Sequence, residues 1–137
     1  MRNRLAALET LVALVLAGPL AAAGPEPAPD QIRAAVTRGM PLLLKGAVGH
    51  TAQRQCFSCH NQGLPILAAT TARAHGFAVD GKELRKQLRF IAEFLDGNRD
   101  NYRQGRGTGG QADTAGYALL TLEVGGWKPD DTTAADL

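Results

Sequence analysis

The sequence predicts an all-α protein assembled from α/α helical hairpin repeats, and three observations carry that expectation. Apolar residues recur at helical spacing in successive segments, each bounded by capping or stopping residues. Aromatic residues make up only 5% of the chain, so Ala, Leu and Gly do most of the apolar work, which suits closely packed helices better than sheet. A shift of fifty residues lays the chain on itself: Ala68, Thr71, Gly76 and Asp80 fall on Ala118, Thr121, Gly126 and Asp130, and Phe77 falls on Trp127. Both copies then consist of a small-residue helix, a glycine stop, an aromatic residue and an aspartate that caps the next helix.

The elements follow in order. Met1 to Arg4 form a short basic head, residues 11–20 an apolar run, and Ala21, Ala22 and Ala23 a small-residue cleavage pattern. Residues 1–23 therefore resemble a secretory signal peptide. The alternative, an uncleaved anchor, needs an apolar run nearer the ~20 residues of a spanning helix. A Pro-rich linker occupies 24–30, and a helical domain occupies 31–137. Asp30 is the expected cap of a first helix with Ile32, Ala35, Val36, Met40 and Leu43 on one face, which Pro41 must kink or restart. Pro65 suits the first turn of a second helix that stops at Gly76. Asp80 and Glu83 resemble a capping box for a third helix with Leu84, Leu88, Ile91 and Leu95 as its apolar stripe. Its basic residues Lys82, Arg85, Lys86 and Arg89 form a solvated face. A fourth helix spans 114–124 and ends at Gly125 and Gly126, and Pro129 and Asp130 start a fifth. About two repeats and a stub are present, whereas a repeat array usually needs about three. The chain is thus expected to be cut short, with its open end continued by further repeats or covered by self-association.

Charge names no partner. Beyond residue 23 there are 13 basic and 12 acidic side chains, so no strong field is available for nucleic acid or anionic lipid. Residues 24–137 hold no stretch that could span a membrane as an integral segment.

The chemistry lies in Cys56-Phe57-Ser58-Cys59-His60. Covalent haem attachment needs two thiols spaced to meet the two vinyl groups on one macrocycle edge, and an imidazole on the next residue as the iron's axial ligand. Cys56 and Cys59 are the thioether candidates and His60 the proximal iron ligand; the chain's 2 cysteines are both used. A redox disulfide across the C-x-x-C would be expected beside a βαβ pattern, which is not found. Zinc would need His50 or His75 to complete a four-ligand set without a second C-x-x-C knuckle. For the sixth iron position, His50 is the expected distal ligand ahead of Met40, a core candidate, and His75, which suits a helix C-terminus; an open five-coordinate site is a further option. By the fifty-residue shift, the Gly-rich loop 97–110 occupies the position of the His50 to His60 loop and should leave the same rim, placing Arg99, Arg103 and Arg106 near the haem edge. Arg103 and Arg106 are candidate propionate contacts.

The C-x-x-C-H motif followed by Asn61-Gln62-Gly63-Leu64-Pro65, with Gly76-Phe77 and Gly116-Tyr117-Ala118-Leu119-Leu120, is similar to exported bacterial proteins that join such a motif to prenyltransferase/squalene-cyclase-like repeats. The resemblance covers 31–137. It implies a partial α/α toroid with a haem-binding loop, one haem c (iron), a periplasmic or otherwise exported location and an unknown redox partner. Asp130-Asp131-Thr132-Thr133-Ala134 departs from the aspartate-rich acid of the cyclases and fits a helix cap instead, which speaks against terpene chemistry and against an enzyme. The expected function is electron transfer by a c-type cytochrome-like protein. The alternative is a helical-repeat binding or scaffold module with a structural or sensory haem.

Overall fold

A computed structural model of the chain describes residues 26–128. The expected signal peptide and the expected fifth helix lie outside them. Among the described residues the protein is all-α, with no strand: α1 (Pro29–Gln53), a short π-turn (Cys59–Gly63), α2 (Leu64–Ala74), α3 (Gly81–Arg103) and α4 (Gln111–Val124). No helix among them is long and apolar enough to cross a membrane.

α1 begins one residue before Asp30, because Pro29 at the first helical position brings a preset φ and lacks only an N–H that would have no helical partner. Gln31 reaches back so that its Oε1 accepts from the Ala28 N–H at 3.2 Å, the reciprocal half of a capping box. Asp30 sits in the first turn rather than at the cap. The helix runs through Pro41 without restarting. Its buried face also differs from the expected one: Leu44 and Ala47 are buried and Val36 and Met40 half-buried, while Ile32, Ala35 and Leu43 stay exposed. Positions 36, 40, 44 and 47 follow the i, i+4, i+8, i+11 row, a stripe that Pro41 and the flanking glycines obscure in the sequence.

α3 meets expectation most closely. The Asp80 side chain accepts from the Lys82 N–H at 2.8 Å and the Glu83 N–H at 3.2 Å. Glu83 does not return the bond; its carboxylate takes Gln87 and Lys86 instead. Leu84, Leu88, Ile91 and Leu95 are all buried, and they form the core with Leu44, Phe57, Ile66, Ala69, Ala92, Ala118 and Leu122. Lys82, Arg85, Lys86 and Arg89 are exposed. α3 continues to Arg103, so 97–103 are helix and only the remainder of the Gly-rich segment is loop. Tyr102 explains the extension, since it packs on the core and its hydroxyl lies 3.2 Å from Thr108 Oγ1 across the turn. α4 starts a turn earlier than expected, after Gly110 at φ 85°, with Thr114 Oγ1 donating to the Gly109 carbonyl.

Helix ends recur at the fifty-residue interval. α1 and α3 stop at Gln53 and Arg103, and α2 and α4 at Ala74 and Val124. After α2, Gly76 (φ 80°) donates to Arg73 O and Phe77 to Ala72 O; after α4, Gly126 (φ 77°) donates to Glu123 O and Trp127 to Leu122 O. Each pair closes a left-handed glycine stop with the same bonds.

Candidate functional site

The segment 54–63 leaves α1 and turns into α2, and its geometry is set by side chains of the motif itself. Phe57, between the two cysteines, is buried 6.2 Å from the Phe94 ring and anchors the segment to the core. Ser58 then caps the π-turn: its Oγ accepts from the Asn61 N–H, and its carbonyl accepts from both Gln62 and Gly63 N–H. The Gln62 side chain is fully buried and its Oε1 accepts from the Ser58 N–H at 3.0 Å, tying the turn across its own base. Gln62 Nε2 has no partner among the described residues. The wide i→i+5 turn falls where Pro65 supplies no N–H to a regular helical ladder. Gly63 permits the turn to lie against α4, since a Cβ there would stand 3.2 Å from Thr121 Oγ1.

This anchoring leaves the motif's reactive groups at different depths, with His60 exposed and Cys59 packed against the core. Cys56 is exposed, Cys59 half-buried and both thiols are free. Cys59 Sγ and His60 Nδ1 are in hydrogen-bonding contact at 3.2 Å. His50 Nε2 lies 2.9 Å from the Cys56 carbonyl oxygen, a contact that ties the end of α1 to the start of the motif. His60 faces an open, largely apolar groove between α1 and α2. Val36, Met40 and Leu43 form one wall, Leu64, Leu67 and Ala68 the core of the other, and Phe77 and His75 the far end. The groove encloses about 730 Å³, within the ~300–1,000 Å³ typical of small-molecule sites.

The structure pairs His50 with the Cys56 carbonyl and Cys59 with His60, and places Met40 and His75 with His60 in the groove lining. His50 does not line the groove. Arg103 and Arg106 are exposed, and Arg103 lines a polar hollow with Asp96, Arg99 and Asp100 of its own helix instead of the groove. Among the described residues no three His, Cys, Asp or Glu side chains converge as a metal cage, so a zinc set of Cys56, Cys59, His60 and a further histidine is not preassembled. Sequence patterns alone do not single out Phe57 or Gln62. Ser58 three residues before Asn61 and ahead of a Pro-started helix is a cap signal that could have found the turn; the burial of Phe57 and Gln62 depends on α3 and α4 and leaves no local trace.

Comparisons with known protein families, with curated proteins and with solved structures find no match for this chain.

Proposed function

We propose that the chain is an exported c-type cytochrome-like protein that carries one haem through thioether bonds from Cys56 and Cys59, with His60 on the iron, and transfers electrons. The observation that carries this reading is the conjunction of a C-x-x-C-H motif with an apolar groove that opens directly at its histidine. A haem needs an apolar bed for its macrocycle, two reachable thiols at one edge and an imidazole below the metal. His60 lines the groove, and Cys59 Sγ lies 3.2 Å from its Nδ1, which supports the reading. When bound, the haem supplies a one-electron iron couple. The protein's part is to hold and tune it: His60 is presented by the π-turn, the turn is pinned by Phe57 and Gln62, and the groove walls lower the local dielectric around the iron.

The fifty-residue recurrence of helix ends supports hairpins of a partial α/α toroid, and the N-terminal basic head, apolar run and small residues support export to the periplasm, where c-type maturation occurs. The test is a redox titration of the protein produced with export and haem maturation. A reversible one-electron couple, with no binding of carbon monoxide or cyanide at the iron, is expected. An irreversible or ligand-binding haem would instead favour a sensory or structural haem on a helical scaffold.

A further inference from the structure

We infer that His50 is a positioning residue of the haem seat, which fixes where the Cys56 edge of the macrocycle lies and stays off the iron; the inference rests on the haem reading above. His50 Nε2 is 2.9 Å from the Cys56 carbonyl oxygen. A carbonyl oxygen only accepts, so Nε2 carries the hydrogen and donates it. That nitrogen is thereby occupied, and the groove lining does not include the ring. The main chain of His50 is held as well, since its own carbonyl accepts from the Arg54 N–H at 2.9 Å and closes the last turn of α1.

The motif's first cysteine depends on this bond. Gln55, Cys56 and Phe57 lie between α1 and the π-turn, outside any helix. Among the described residues, the bond from His50 is the one hydrogen bond that any of the three makes. Ser58, Asn61 and Gln62 bond among themselves, which places Cys59 and His60 but not Cys56. The buried Phe57 ring against Phe94 fixes one point of the segment, and the His50 bond fixes a second. Two points are needed to set the direction in which the exposed Cys56 side chain leaves the chain.

A macrocycle held by two thioethers takes its tilt over His60 from the positions of both sulfurs. The π-turn sets one of them and His50 the other. His50 also belongs to α1, which supplies Val36, Met40 and Leu43 to the groove, so the same bond couples that wall to the thioether edge. Hydrogen bonding and burial around a haem set its reduction potential, so a Cys56 edge released from His50 should change that potential with the iron's ligands untouched.

The test compares the full-length holoprotein, produced with export and haem maturation, with His50→Gln and His50→Leu. The glutamine amide can still donate to the Cys56 carbonyl; leucine fills similar space and cannot. His50→Leu should shift the reduction potential and the haem-methyl proton resonances while its iron absorption bands keep the wild-type pattern, and His50→Gln should restore both properties toward wild type. Proton–nitrogen NMR of the imidazoles should show the His50 ring protonated at Nε2 at neutral pH. A haem-bearing His50→Leu protein with wild-type potential and resonances overturns the assignment alone, as does a His50→Gln protein that shifts as far as His50→Leu. Loss of the wild-type absorption bands in both variants overturns it by making His50 an iron ligand. A chain that carries no covalent haem overturns the haem reading first and this assignment with it.

Discussion

A methyl group on Gly125 would run into both δ carbons of Leu88, the farther at 2.9 Å, and stand 3.0 Å from the Thr121 carbonyl. Gly116, inside α4, has nothing within 4 Å of the same position. Gly125→Ala should therefore cost about 1–3 kcal/mol by overpacking, whereas Gly116→Ala should be neutral or stabilise by up to ~1 kcal/mol through helix propensity. Urea unfolding of the two variants measures both, and equal effects would contradict the Leu88 contact. Ile66 and Leu64 make a second contrast two residues apart. Ile66 is fully buried and Leu64 is 54% exposed on the groove rim. Ile66→Ala should cost about 2–5 kcal/mol, with Leu64→Ala within ~0.5 kcal/mol for the protein without haem. At this scale the sequence displays the chemical residues and hides their supports. Cys56, Cys59 and His60 stand out by type and spacing, while Phe57 and Gln62 acquire their roles only when α3 and α4 close over them.

The start of α3 depends on Asp80, whose carboxyl is held below its ordinary value by the Glu83 N–H first and the Lys82 N–H second. A depressed pKa in the folded state contributes stability that is fully present above the ordinary carboxylate value and is lost as the pH falls through the lowered one. Stability should thus drop on acidification below about pH 4. Asp80→Asn, a good cap without a charge to titrate, should unfold near the wild-type temperature at neutral pH and show a shallower acid decline. Parallel curves of melting temperature against pH for the two proteins would exclude Asp80 as a source of the slope. Strong helix periodicity and capping residues make α2 and α3 legible in the sequence. α1 is legible as a helix but not in its face, because Pro41 and three glycines dilute the stripe that actually packs. The early start of α4 is hidden because Gly110 caps by backbone conformation, with no side-chain signature.

Across the whole molecule the fifty-residue recurrence places the same left-handed stop after α2 and α4. A Cβ added at Gly76 or Gly126 would meet no atom within 4 Å, so Gly76→Ala and Gly126→Ala should each cost about 1–2 kcal/mol from backbone conformation alone. Clearly unequal costs in thermal unfolding would show that the two stops are not equivalent. Around the site, α1 and α2 supply the groove and the motif, and α3 and α4 supply much of the core that holds the motif's base. The all-α class is legible from composition and capping, but the groove is not, since a gap between two helices has no sequence pattern. The most direct measurement is acid-acetone extraction of the matured protein followed by a pyridine haemochrome spectrum of the denatured chain. Thioether attachment predicts that the haem stays with the polypeptide, at one per chain, and that replacing both Cys56 and Cys59 with serine releases it. Haem that extracts completely from the wild-type protein, or a matured chain that holds none, would contradict the account.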